Sequence, residues 1–221
     1  MELIKIFDAN LQELGIVDKK TAHINGDWHQ TFHCWIVNKK NKEILFQLRS
    51  KHKKTYPNLL DTSAAGHLIE FENIMDGVRE IQEELNIQIK DSDIYNLGFR
   101  VEVDDSENGE KNREYQAVHI ANVDKDFATI IPDGIEVSGL FWCKIEDALS
   151  LFTGAKNNVE GGFDIRRKYN KMGKANQKSV HQRFYSTNPK ILFNHFNNGG
   201  EIYRRKISNC NILARTEDKA I

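Results

Sequence analysis

Residues 79–87, which read REIQEELNI, bring four charged side chains onto one short stretch: Arg79, Glu80, Glu83 and Glu84. In a helix that turns by about 100° per residue, positions three and four apart are neighbours, so the glutamates share one face. Neighbouring carboxylates raise each other's pKa values unless a cation neutralises them. Oxygen ligands in that number suit Mg²⁺ or Mn²⁺. The pattern predicts an acidic metal site; an ordinary solvated acidic face is the alternative interpretation.

A second face of the same segment is apolar and would hold the helix against a core. Ile74, Val78, Ile81 and Leu85 are spaced by 4, 3 and 4 residues, which is the pattern of a buried helical stripe. We therefore predict a helix over roughly 73–85 that packs through these four residues and turns its carboxylates away from the core.

Strand patterns surround this helix and predict an α/β fold with a mixed sheet sandwiched by helices. We expect an N-terminal hairpin within 1–25, a domain over 1–153, and a C-terminal extension over 154–221 that packs on it. From about 154 the extension resembles a loop or lid, with a helix at 188–200. The expected strands are 31–37, 43–49, one entering the loop at Gly66, 94–104, 113–123 and 136–145, and a short helix covers 146–152.

Composition excludes several classes of function. Hydrophobic residues make up 39% and charged residues 29%, and the net charge is −1, so no strong field steers the chain to nucleic acid or an anionic membrane. Three scattered cysteines argue for reduced thiols rather than a disulfide framework. No secretion signal and no membrane-spanning apolar run is evident. We expect a soluble, cytoplasmic protein.

The string from Gly66 to Ile87 closely resembles the signature of the Nudix hydrolase family: a glycine, a glutamate, then Arg-Glu-aliphatic-any-Glu-Glu-any-Gly-aliphatic. Two departures stand out. Asn86 replaces the last glycine, and asparagine is the next-best residue for a left-handed helix cap. Six residues rather than seven separate Glu72 from Arg79, which changes the loop path but not the helix.

A wider stretch is similar to the isopentenyl-diphosphate isomerase branch of the same superfamily. That resemblance implies a second metal site at His23, His29 and His67, with Glu114 as a further ligand or the catalytic base. It also implies that Arg49 and Lys53 bind a diphosphate and that Trp142 faces the substrate. The sequence departs from that branch twice, because Asn112 replaces an acidic ligand and Ala65 replaces the isomerase's cysteine.

Each of these residues has a plainer interpretation. The histidines could be ordinary half-buried side chains, Arg49 and Lys53 could belong to a solvated loop, and Trp142 on an apolar strand is more often a core residue. Arg49 and Lys53 would suit a diphosphate if they face the acidic helix.

The resemblance implies metal-assisted phosphoryl chemistry on a small-molecule diphosphate, with Mg²⁺ or Mn²⁺ as cofactor and a second copy of the chain as a candidate partner. Divalent ions at Glu80, Glu83 and Glu84 would activate a water, while Arg79 would orient a neighbouring glutamate. We expect a diphosphohydrolase acting on a nucleoside- or isoprenoid-diphosphate-type substrate. The alternatives are an isopentenyl-diphosphate Delta-isomerase and a non-catalytic nucleotide-binding module.

Overall fold

The structure is a computed structural model that describes residues 2–105, 109–156 and 159–164 of the chain. The predicted helix at 188–200, and the C-terminal extension beyond residue 164, lie outside these residues. Among the helices that are described, none is long and apolar enough to cross a membrane.

Strands dominate the described chain, and its helices are short. The strands are β1 (Leu3–Phe7), β2 (Glu13–Asp18), β3 (Trp28–Asn38), β4 (Glu43–Arg49), β5 (Leu60–Asp61), β6 (Ala64–His67), β7 (Ile94–Asp105), β8 (Lys111–Asn122), β9 (Val137–Lys144) and β10 (Gly162–Asp164). The α-helices are α1 (Lys19–Asn25), α2 (Arg79–Leu85) and α3 (Ile145–Phe152), and 3₁₀ turns cover Ile74–Val78, Asp91–Asp93 and Phe127–Thr129.

Strand β3 is the centre of a mixed sheet. It pairs with β8 in parallel and with β1, β4 and β6 in antiparallel fashion. On the far side of β8 lies β7, while β9 and β10 continue the sheet beyond β4. Eleven residues long, β3 can therefore bring side chains from β6, β8 and the N-terminal hairpin to one place.

Alternate residues of the central strands bury two separate hydrophobic clusters. Phe32, Cys34 and Ile36 pack with Ile81 and Leu85 of α2. The intervening residues of β3, with Ala148 and its neighbours in α3, form the cluster on the opposite face. Because successive strand residues point to opposite faces, one sheet buries both layers. The predicted α/β/α sandwich with a mixed sheet is confirmed.

The predicted helix over 73–85 packs as expected, but its first turn is not α-helical. Ile81 and Leu85 are fully buried, and Ile74 and Val78 pack against the same cluster. However, residues Ile74–Val78 form a 3₁₀ turn, and the α-helix begins only at Arg79. A Cβ at Gly77 would lie 2.4 Å from the Cβ of Phe32, so this turn presses directly on β3.

Two elements differ from the sequence prediction. The hairpin β1–β2 is present, but α1 follows it within residues 1–25. Asp18 caps α1 by accepting from the Thr21 N–H at 3.1 Å, and Gly26 ends it with φ 80°. The segment predicted as a loop after residue 153 contains β10, which pairs with β9.

Candidate active site

Arg79 is the centre of the acidic cluster on α2. Its guanidinium forms two charge-assisted hydrogen bonds with the carboxylate of Glu72. Its Nη1 donates to Glu80 Oε1 at 2.7 Å and to Glu83 Oε2 at 3.0 Å. Its Nη2 also donates to the carbonyl of His67 at 3.1 Å. The arginine therefore orients several carboxylates at once, and the shortened loop still brings Glu72 to it.

The three glutamates of α2 do not share one environment. The side chain of Glu83 is 59% exposed and that of Glu80 is 13% exposed, whereas Glu84 as a residue is only 4% exposed. The expectation of an exposed acidic face is therefore wrong for Glu84. One oxygen of Glu84 accepts from the Ala65 N–H at 3.1 Å and from Gln47 Nε2 at 3.4 Å.

Burial raises the pKa of Glu84 well above its ordinary value, and the nearby Glu80 raises it further. Burial also raises the pKa of Glu80, against the opposing effect of Arg79. In the described residues no ion pair joins Glu84 to a basic side chain. A buried carboxylate that lacks a counter-ion is what a divalent cation would stabilise, so this donor set fits Mg²⁺ or Mn²⁺.

Gly66 has a steric reason to be glycine. A Cβ at this position would lie 1.9 Å from Glu80 Oε1 and 2.0 Å from Glu80 Cδ. The backbone of β6 therefore lies directly against the Glu80 carboxylate. On the next strand along the sheet, Phe32 is the register partner of Gly66.

The three predicted histidines converge although they come from three different elements. His23 lies on α1, His29 on β3 and His67 on β6, and their ligand atoms lie within 4.8 Å of one another. The ring centroids of His29 and His67 are 5.1 Å apart, in a stacked arrangement. The three histidines are buried or half-buried, as the plainer interpretation allows, but they also lie together, which that interpretation does not require.

The protonation of these histidines suits a transition metal. Burial lowers the pKa of all three, and His67 is lowered well below its ordinary value. Neutral imidazole is the form that binds metal. The Nε2 atoms of His29 and His67 are buried and have no hydrogen-bond partner among the residues that the structure describes, so a bound ion would satisfy them.

Glu114 lies next to this histidine cluster. In the parallel pairing of β3 with β8 it is the register partner of His29, and its Oε1 lies 4.0 Å from His29 Nε2. Burial alone would raise the pKa of Glu114, but the neighbouring His33, whose Nε2 lies 3.8 Å from Glu114 Oε2, holds this pKa well below its ordinary value. Two residues earlier, the Oδ1 atom of Asn112 is buried and finds no hydrogen-bond partner within the described part of the chain.

The predicted diphosphate-binding residues are engaged with the protein itself. Arg49 donates to Asp61 Oδ2 at 2.9 Å and to the Thr55 carbonyl at 3.0 and 3.2 Å. Lys53 forms an ion pair with Glu136. A phosphate would have to replace these partners.

Trp142 is half-buried and packs against the hydrophobic cluster below α2. A Cβ at Gly162 would lie 2.1 Å from its indole, so the backbone of β10 lies against the ring. This packing agrees with the plainer interpretation of Trp142 as a core residue.

Sequence reasoning missed several polar residues of the site: Thr31, His33, Gln47, Glu102, Gln116 and Glu136. The alternation of polar with apolar residues in 114–116 was a usable signal for Gln116, because it places this side chain on the face of Glu114. No local pattern distinguishes Glu102 from other exposed-strand glutamates, since its importance depends on pairing between β7 and β8.

Comparison with known proteins identifies relatives of two kinds, Nudix hydrolases and isopentenyl-diphosphate Delta-isomerases. The model of the NUDIX domain matches residues 27–161. A Nudix hydrolase of Clostridium acetobutylicum is 36% identical over 166 residues, which are 73% of this chain and 78% of that protein. The isopentenyl-diphosphate Delta-isomerase of Saccharopolyspora erythraea is 28% identical over 144 residues, which are 64% of this chain and 72% of that enzyme.

A solved structure shares the fold. The crystal structure of DR0079 from Deinococcus radiodurans superposes with a TM-score of 0.55 at 21% identity, covering 70% of this chain and 91% of that one. At this identity the similarity concerns the arrangement of strands and helices.

Proposed function

Because this chain belongs to the Nudix hydrolase family, we propose that it hydrolyses the diphosphate linkage of a nucleoside- or isoprenoid-diphosphate-type small molecule with Mg²⁺ or Mn²⁺. The observation that carries the proposal is the cluster of carboxylates around Arg79 on α2, in which Glu84 is buried and forms no ion pair with any basic side chain of the described residues. The hydrogen bonds that Glu84 accepts from Ala65 and Gln47 do not supply a positive charge, and burying a charge is unfavourable unless it is neutralised.

Glu80, Glu83 and Glu84 would hold the cation of the acidic site. When bound there, a divalent ion neutralises phosphate oxygens and lowers the pKa of a water. In this proposal Arg79 does not contact the substrate. Its bonds to Glu72, Glu80 and Glu83 orient these carboxylates.

His23, His29 and His67 would hold a second ion, with Glu114 as a ligand or as the base that takes a proton from water. Three neutral imidazoles favour Mn²⁺ or Zn²⁺ over Mg²⁺. Lys53 would exchange Glu136 for a phosphate oxygen. Such an exchange is reasonable because the Glu136 side chain is 52% exposed and its ion pair is accordingly weak.

Isomerisation of isopentenyl diphosphate is the second candidate, favoured by the histidine cluster and by the isomerases among the relatives. That reaction needs proton donors and acceptors on opposite faces of an alkene. Ala65 has no titratable group. Cys34 and Cys143 are buried, and burial raises the pKa of Cys143 to about 12, so neither thiol is activated. Hydrolysis is therefore the better-supported reaction.

The first experiment is a substrate screen. Nucleotide, sugar-nucleotide, dinucleoside and isoprenoid diphosphates are incubated with Mg²⁺ or Mn²⁺, and products are identified by mass spectrometry. Hydrolysis should yield a monophosphate with phosphate or a second monophosphate. Glu83→Gln should remove most of this activity while leaving the melting temperature nearly unchanged, because its side chain is mostly exposed. A fully active Glu83→Gln protein would rule out the proposed site.

A labelling experiment separates hydrolysis from isomerisation. Isopentenyl diphosphate is incubated with the protein in heavy water, and recovered material is analysed by mass. Unlabelled monophosphate and inorganic phosphate would support hydrolysis. Deuterium in a recovered, isomerised diphosphate would refute it.

A third possibility is a non-catalytic nucleotide-binding module. It predicts that a nucleotide in the screen binds tightly and that no compound is hydrolysed. The intact glutamates at positions 80, 83 and 84 argue against it.

A further inference from the structure

Three side chains on β7 and β8 form a closed ring of hydrogen bonds beside Glu114. Arg100 Nη1 donates to Gln116 Oε1 at 2.6 Å, and Arg100 Nη2 donates to Glu102 Oε1 at 3.0 Å. The ring closes where Gln116 Nε2 donates to Glu102 Oε2 at 2.5 Å. Arg100 lies directly opposite Gln116 in the strand pairing, and Glu102 lies opposite Glu114, so the backbone register builds the ring.

The donors and acceptors of the ring can be arranged in only one way. A glutamine amide can be turned by half a rotation, which exchanges its oxygen with its nitrogen. Here an arginine, which has only donors, occupies one end, and carboxylates, which only accept when ionised, occupy the other. The oxygen of Gln116 must therefore face Arg100, and its N–H groups must face the glutamates. Gln116 is 1% exposed, so water does not compete for these bonds.

One further bond connects the ring to the site. Gln116 Nε2 also donates to Glu114 Oε2 at 2.8 Å, and the Thr31 hydroxyl donates to the same oxygen at 3.3 Å. The His33 Nε2 atom also lies on this side, 3.8 Å from Oε2. The other oxygen, Oε1, lies 4.0 Å from His29 Nε2. The described side chains thus hydrogen-bond to Oε2 of Glu114, while Oε1 faces the histidine cluster.

We propose that the Arg100–Gln116–Glu102 ring positions the Glu114 carboxylate, so that Oε1 is presented to the histidine cluster while Oε2 is held by the protein. The ring is a positioning device and does not touch substrate. Its charges cancel, because Arg100 and Glu102 form an ion pair, so it supplies a directed N–H without a competing charge. The proposal rests on the proposed function in one respect, namely that Glu114 serves the histidine site.

The test measures Mn²⁺ affinity rather than turnover. Mn²⁺ binding is followed by electron paramagnetic resonance in the wild-type chain and in Gln116→Met, which removes the amide but keeps the side-chain volume. A second variant, Arg100→Met with Glu102→Gln, removes both ring charges together, so that neither member of the Arg100–Glu102 ion pair is left without the other. The matched control is Arg113→Met, which breaks the exposed Arg113–Asp105 ion pair in the same hairpin. Circular dichroism and thermal melts establish that each protein is folded.

We expect both ring variants to lose about 10- to 100-fold in Mn²⁺ affinity, which is typical when a group that orients a metal ligand is removed. The control should bind as the wild type does. If Gln116→Met does not fold, the charge-paired double variant decides the question alone. Wild-type affinity in a folded ring variant would overturn the positioning role.

The outcomes also separate this proposal from the proposed hydrolysis. Lost Mn²⁺ affinity in a chain that hydrolyses no diphosphate would support the ring and refute the hydrolase. Unchanged Mn²⁺ affinity of the ring variants, in a chain that does hydrolyse a diphosphate, would refute the ring and support the hydrolase. Wild-type Mn²⁺ binding that is insensitive to His67→Ala would overturn the positioning role as well, whereas hydrolysis would still be judged by Glu83→Gln.

Discussion

Gly66→Ala should disable the enzyme through a single displaced carboxylate. The added Cβ would lie 1.9 Å from Glu80 Oε1, while ordinary contacts begin at 3.4 Å. The Glu80 carboxylate must therefore move by about 1.5 Å, and a displacement of about 1 Å in a catalytic group can reduce turnover about 100-fold. We expect kcat to fall about 100-fold or more.

The stability of Gly66→Ala should change much less than its activity. Movement of Glu80 breaks its 2.7 Å hydrogen bond with Arg79. We expect a loss of about 1–2 kcal/mol in the free energy of unfolding, since a charge-assisted bond of this kind is only partly shielded from water. Hydrolysis kinetics give the first quantity and urea unfolding gives the second.

A double-mutant cycle tests the steric reasoning directly. In a Glu80→Ala background the clash partner is gone, so Gly66→Ala should then be nearly neutral for stability or slightly stabilising. The same loss in both backgrounds would refute the proposed contact between Gly66 and Glu80. Full activity of the single variant would refute the idea that the position of Glu80 matters for the reaction.

Two further predictions concern stability. Burial raises the pKa of Glu84, so in EDTA the folded chain binds a proton that the unfolded chain has released, and the melting temperature should fall as pH rises from 4.5 toward the raised pKa. Glu84→Gln should flatten this dependence and raise the melting temperature at neutral pH, and an unchanged pH profile would contradict the assignment. Gly77→Ala places a Cβ 2.4 Å from the Cβ of Phe32, and should lower the free energy of unfolding by about 1–3 kcal/mol in chemical denaturation. A Gly77→Ala protein as stable as the wild type would show that the 3₁₀ turn can move away from β3.

Much of the catalytic helix could be predicted from the sequence. The spacing of Ile81 and Leu85 defines which side of the helix is buried, and the positions of Glu80 and Glu83 follow from the helical period. The left-handed cap at Asn86, with φ 55°, was predictable for the same reason, since few residues adopt that conformation. These features depend on local geometry, which a short sequence encodes directly.

The environment of each carboxylate was decided by the tertiary structure. Glu83 and Glu84 are adjacent in sequence, yet one is exposed and the other is buried beneath the backbone N–H of Ala65. Helical periodicity predicts the side of the helix on which a side chain lies. It does not predict whether a neighbouring strand covers that side. The raised pKa of Glu84 is therefore a property of the packing between α2 and β6.

The histidine site shows the same division. The family resemblance supplies His23, His29 and His67 as candidates and places Ala65, which has no titratable group, at the position of the isomerase's cysteine. Their convergence depends on the antiparallel pairing of β6 with β3, which sets His67 opposite Thr31, and on the placement of α1 beside these strands. The ring at Gln116 depends likewise on the register between β7 and β8. Contacts between residues far apart in sequence arise only when strands pair, because register and layer order are set by the burial of the whole sheet.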